Sequence, residues 1–184
     1  SYALAAKGNP AIAKVLPLLE SEDPWIQINA TFILGEIGYE SEEIVEAISK
    51  LLDSSHQQVV RQALDTLACM PNQINKKCLS SISNLLEKKP NGWSEVLVNR
   101  GWTGLDQINF NASLLLLNCT FSSKYKKELE KILTKLLNFS TGYSAKVASK
   151  GLINLQTPTA LNSAITYLSD RAWDETLIPA TKRY

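Results

Sequence analysis

With one histidine and three cysteines in 184 residues, this chain is poor in the side chains that most often bind metals or act as nucleophiles. Cys69, Cys78 and Cys119 form no Cys-x-x-Cys pair, and there is no histidine cluster to complete a metal site. Their odd number, and their positions inside or at the ends of predicted helices, argue for free, packed thiols in a reducing compartment and against a disulfide framework. Neither a Gly-x-x-x-x-Gly-Lys phosphate loop nor a Gly-x-Gly-x-x-Gly turn occurs. The longest apolar runs, such as Leu114–Leu117, fall far short of the roughly 18 residues a membrane span needs. Four Asn-x-Ser/Thr sequences, at Asn29, Asn111, Asn118 and Asn138, read as chance matches, because three of them fall within predicted helices. These shortages point to a non-enzymatic, cofactor-free, cytoplasmic protein.

What the chain has is a repeat. The segment Ile26-Gln-Ile-Asn-Ala30-Thr-Phe-Ile-Leu34-Gly returns as Val59-Val-Arg-Gln-Ala63-Leu-Asp-Thr-Leu67-Ala. It returns in weaker form as Ile108-Asn-Phe-Asn-Ala112-Ser-Leu-Leu-Leu116-Leu and again around Ala148 to Leu152. Each copy puts a small alanine four residues before a leucine on one helical face, and a second amphipathic helix follows. Repeating helix pairs of this kind stack into an α-solenoid. At 45% hydrophobic and 20% charged, the chain can bury a core as one domain spanning residues 1–184.

The punctuation fits paired helices. Gly8-Asn9 turns into a helix over Pro10 to Leu19. Asp23-Pro24 is an N-cap followed by proline at the first helical position, and the helix runs to about Ile37. Glu42 to Leu52 is its partner; His56 to Cys69 and Ile74 to Leu86 form the next pair. Two more pairs are expected, Leu105 to Cys119 with Tyr125 to Leu137, and Gly142 to Leu155 with Thr159 to Leu168. Gly35 and Gly151 fall at close helix contacts. Ala30 and Ala63 are 33 residues apart, whereas Ala63 and Ala112 are 49 apart, so an irregular insertion occupies 89–104. Residues 170–184 read as a partial repeat or a cap. His56 follows Asp23 by 33 residues, at the same cap position of the next pair, so its expected role is capping or exposure. The chain opens inside a predicted helix without a methionine, as a segment of a longer protein would.

The block Asp23 to Gly38, with Ile44 to Leu52 after it, resembles a HEAT repeat, especially the short bacterial form found also in phycobilisome lyase-like proteins. In that family an arginine often follows the first hydrophobic residue of the first helix; here Gln27 stands there, and Arg61 is displaced by one. The resemblance implies a right-handed superhelix of four to five helix pairs, with second helices lining a concave side that binds proteins. It also implies two alternatives. One is a phycobilisome lyase-like factor processing bilin-carrying proteins. The other is a HEAT-like nucleic-acid-binding protein or DNA glycosylase, suggested by Trp102 and Asp106 spaced to share a helix face.

Charge is arranged unevenly. Between Glu20 and Asp53 nine acidic residues face one lysine, Lys50; between Lys124 and Lys150 seven lysines face Glu128 and Glu130. Such polarity can steer a partner or join one copy's basic end to another's acidic end. If second helices line a groove, its outward residues are Glu43, Glu46 and Lys50, then Lys76, Ser80 and Ser83. Lys127, Glu130, Lys131 and Thr134 follow, and then Asn162, Ser163 and Thr166. The insertion adds Trp93, Arg100 and Trp102, residue types favoured as interface anchors. The expected partner is a protein or peptide, with head-to-tail self-association as a further form. Nucleic acid is disfavoured, since the first complete pair is acidic where DNA requires a basic groove.

Overall fold

A computed structural model describes residues 2–6, 8–88, 92–93, 97–99, 102–122, 124–139 and 142–170. The fold is all-α, with one short antiparallel ribbon. After α1 (Tyr2–Ala5), the helix expected over Pro10 to Leu19 is broken at Pro17, which lacks a backbone donor. It becomes a 3-10 turn at Asn9–Ala11, the short α2 (Ile12–Val15) and a 3-10 turn at Leu16–Glu20.

The remaining helices follow the sequence pattern closely. In α3 (Pro24–Ile37) the Asp23 carboxylate accepts the Trp25 N–H at 2.8 Å, and Gly38 ends the helix in the left-handed region at φ 67°. Ser41 caps α4 (Glu42–Lys50), which tightens into a 3-10 turn at Leu51–Asp53. His56 is the N-cap of α5 (Gln57–Ala68), although its imidazole makes no capping bond. Asn75 Oδ1 accepts the Cys78 N–H at the start of α6 (Lys76–Lys88). The insertion contributes β1 (Leu97–Asn99) and β2 (Trp102–Thr103). A capping box of Thr103 and Asp106 then starts α7 (Gly104–Cys119). Next come α8 (Lys126–Phe139), α9 (Gly142–Leu155) and α10 (Pro158–Asp170). Of residues 170–184, expected as a cap or partial repeat, Asp170 ends α10 and the rest lie outside the described residues, as does Arg100.

The helices fall into two rows. In the first, α1, α3, α5, α7 and α9 pack side by side in chain order. In the second, the Leu16–Glu20 turn, α4, α6, α8 and α10 do the same. The repeated alanines and leucines lie between the rows: Ala30, Ala63, Ala112 and Ala148, with Leu34, Leu67, Leu116 and Leu152, are all at most 1% exposed. One continuous core runs from Ala11 to Ala164. Gly35 and Gly151 mark close approaches, since a Cβ would come within 3.2 Å of Thr66 and 3.0 Å of Leu133 respectively.

Polar groups between first-row helices are paired across the junctions. Thr66 Oγ1 donates to the Thr31 carbonyl at 3.2 Å, joining α5 to α3. Asn111 Nδ2 donates to Asp65 Oδ1 at 2.7 Å and Asn118 Nδ2 to the Ala68 carbonyl at 3.0 Å, joining α7 to α5. Asn154 Nδ2 donates to Thr120 Oγ1 at 3.3 Å, linking the C-terminal ends of α9 and α7. These partners are 34 or 35 residues apart in the regular pairs and 46 or 50 across the insertion, so the stacking of α5 on α7 continues past it.

Two outcomes test this packing. Leu64, fully buried on α5, should lose about 2–5 kcal/mol of stability as Leu64→Ala, measured by urea unfolding. Burial lifts the Asp65 carboxyl above its usual 3.8, and Arg61 partly offsets the rise. The folded chain therefore holds that proton more tightly than the unfolded chain. The resulting stability is present below about pH 4 and is lost as pH rises through the raised pKa. Asp65→Asn keeps an acceptor for Asn111 and removes the titration. Compared with this variant, the natural chain should be most favoured at pH 3.5 and lose that advantage towards pH 7, read from thermal midpoints at intervals between.

Candidate functional site: the surface of the second-helix row

Hydrogen bonds join several first-row helices, and concavities open along the second row. Between the Leu16–Glu20 turn and α4 lies a groove of about 640 Å³ with Leu16, Pro17 and Ala47 as its apolar floor. Glu20, Glu42, Glu43, Glu46 and Lys50 form its rim. A smaller one of about 160 Å³ on the far side of α4 shares Glu46 and Lys50 and adds Asp53, Asn75 and Lys77. A third, about 730 Å³, separates α8 from α10 and gathers Thr134, Asn138, Asn162, Ser163, Thr166 and Tyr167. The structure thus brings Glu43, Glu46 and Lys50 together at one place and Thr134, Asn162, Ser163 and Thr166 at another.

Charged groups expected to point at a partner are in several cases engaged with the neighbouring pair. Lys50 meets Glu20 at 3.7 Å and Lys77 meets Glu46 at 3.7 Å. Lys88 bridges to Asp53 at 2.7 Å, Lys76 to Glu128 at 3.0 Å, and Lys135 to Glu87. Hydrogen bonding to Lys135 holds Glu87 below the usual carboxylate range, and Lys76 does the same for Glu128. Glu130 accepts the Thr157 hydroxyl. Ser80 donates to the Lys76 carbonyl at 3.0 Å and Ser83 to Glu87 at 3.3 Å. Lys127 and Lys131 are exposed and make no ion pair among the described residues. Sequence spacing identified the outward positions; it could not show that lysines on one helix reach acids on the next, because that depends on how neighbouring helices of the second row are set against each other.

The insertion behaves differently from the expectation for its tryptophans. Trp93 is buried at 7% exposure, and its carbonyl accepts the Leu105 N–H at 3.0 Å, so its ring belongs to the core. Trp102 precedes α7, because the Thr103 cap sets the helix start at Gly104; it therefore does not share a helix face with Asp106. Both nevertheless line a cleft of about 180 Å³ with Gly142, Tyr143 and Ser144. The Trp102 ring stands edge-on to Phe110 at 5.3 Å and tilted against Tyr143 at 6.0 Å. Asp106 Oδ2 is occupied by the Thr103 N–H and hydroxyl. Tyr143, 64% exposed, was invisible as a site residue in the sequence because its nearness to Trp102 spans 41 positions.

The thiols are poor nucleophiles. Burial pushes Cys78 up to about 11 and Cys119 up to about 12, so both are protonated at neutral pH. Cys69 is exposed, yet packing around its sulfur and then Asp65, Glu36 and Glu40 raise it as well. Among the described residues no group of three His, Cys, Asp or Glu side chains is placed to hold a metal ion. No helix there is long and apolar enough to cross a membrane.

No protein-family profile and no curated protein matches the chain. Among solved structures it is similar to two engineered proteins crystallised by the Northeast Structural Genomics Consortium. The first is 20% identical, aligns over 85% of this chain and 67% of its own, and gives a TM-score of 0.58. The second is 19% identical over 85% and 69%, with a TM-score of 0.54. At such identity the likeness bears on the fold alone, and it agrees with an all-α chain.

Proposed function

We propose that the two rows form a right-handed α-solenoid of four to five HEAT-like helix pairs, and that the chain is a non-enzymatic scaffold binding a protein or peptide partner within a larger protein or assembly. The observation that carries this reading is the grooving of the second-helix row: concavities flank α4 and separate α8 from α10. In the first row, hydrogen bonds tie α5 to α3 and α7 to α5, and a cleft of about 180 Å³ lies between α7 and α9. Extended ladders of this sort bind through many modest contacts. The lysines at 127 and 131, free of ion pairs among the described residues, and the acidic rim beside α4 also suit end-to-end association of two copies.

One arrangement favours a second reading, nucleic-acid binding: Trp102 and Tyr143 offer aromatic faces beside Asp106. Against it stands the acidic rim, which would repel a phosphate backbone.

The chain should be used as bait in native lysate at low and moderate salt, beside a Glu43→Lys/Lys127→Glu double variant. The expected outcome is a discrete protein partner whose retention falls about tenfold in the variant, a loss of about 1.4 kcal/mol. Retention of nucleic acid alone, lost in Tyr143→Ala, would replace this reading with the second. A partner bound equally by the double variant would remove the charged face from the account.

A further inference from the structure

We propose that the groove between the Leu16–Glu20 turn and α4 docks a basic segment of another protein, one that lays a single apolar side chain on Leu16, Pro17 and Ala47 between flanking lysines or arginines. The inference rests on the protein-binding reading above and names the chemistry of the partner.

Three observations converge on this groove. Its floor is apolar and open: Pro17 is exposed, while Leu16 and Ala47 are only partly covered against the core. At about 640 Å³ it has the size of an ordinary ligand cleft, room for one large side chain and the residues beside it. Its rim is unbalanced. At the other junctions acids are matched by a lysine from the next helix, as with Asp53 and Lys88, Glu87 and Lys135, and Glu128 and Lys76. Here four carboxylates share one lining cation, Lys50, already directed at Glu20. Lys77 takes Glu46 from the far side, Glu42 accepts only the neutral Asn75 amide at 3.3 Å, and Glu43 has no partner among the described residues.

The groove also continues. Glu46 and Lys50 line the smaller concavity on the opposite side of α4, so an extended segment crossing that helix passes from one to the other. Charge complementarity thus selects a cationic segment, and the floor selects one with an apolar residue among its charges.

On α8 the exposed lysines at 127 and 131 flank Leu129, which is buried in the chain's own core, so that helix cannot present the apolar residue the floor selects. The occupant is a basic segment of another protein whose apolar residue is free.

Fluorescence anisotropy on the full chain would use the labelled pentapeptide Lys-Lys-Leu-Lys-Lys and its equally charged counterpart Lys-Lys-Ser-Lys-Lys, at about 50 and about 300 mM salt. The leucine probe should bind about tenfold more tightly than the serine probe, and both should weaken with salt. Glu43→Lys should weaken both about tenfold, and Ala47→Gln should abolish the preference for leucine. Glu40→Lys, the same charge change outside the groove, should leave binding unchanged. Equal affinity for the two probes, an equal effect of Glu40→Lys, or no binding of either probe overturns the proposal. So does salt-sensitive self-association in light scattering that Glu43→Lys abolishes, since a second copy would then be the occupant. A lysate partner still retained when the probes fail leaves the scaffold reading standing and removes only this groove assignment.

Discussion

The structure depends on how closely helices of the first row can approach one another. A helix such as α5 is flanked by α3 and α7 and backed by the second row, so three of its sides are occupied. Close packing then demands small residues where backbones meet and leaves no water for polar groups there. Gly35 on α3, where an added Cβ would lie 3.2 Å from Thr66 of α5, satisfies the first demand. Thr66, Asn111 and Asn118, each reaching an acceptor on the preceding helix, satisfy the second. Without these bonds the junctions would bury unpaired donors, at a cost of about 1–3 kcal/mol each.

The second row works under a looser constraint. Its junctions are joined by exposed ion pairs, which hold register weakly and are screened by salt. Side chains there need not interdigitate as tightly, and the spaces between α4 and its neighbours, and between α8 and α10, remain as grooves.

The sequence carried the helix pairs because capping and packing are local. Asp23-Pro24, Gly38 and the alanine four residues before each leucine all concern interactions within one or two turns or at repeating offsets. It failed where a distant partner decides. Pro17 is the local exception: visible in the sequence, it starts a 3-10 turn where the apolar pattern of Leu16, Leu18 and Leu19 suggested a continuous helix. Trp93 reads as an anchor for a partner until its neighbours are known, and is then a core residue. The grooves themselves were only half visible: Glu43 and Glu46 could be placed outward from α4's own periodicity, but the floor of Leu16 and Pro17 comes from the preceding pair.

The packing of α7 on α5 across the insertion shows that the array measures itself by surfaces in contact and not by length of chain. Asn111 finds Asp65 across 46 positions as readily as Thr66 finds Thr31 across 35. Lengthening a connection costs only about 0.6 kcal/mol per doubling in closure entropy. That joint is consequently a natural port: foreign sequence could be spliced into it, or added there over evolutionary time, giving the chain a new appendage while its stacked helices stay in register.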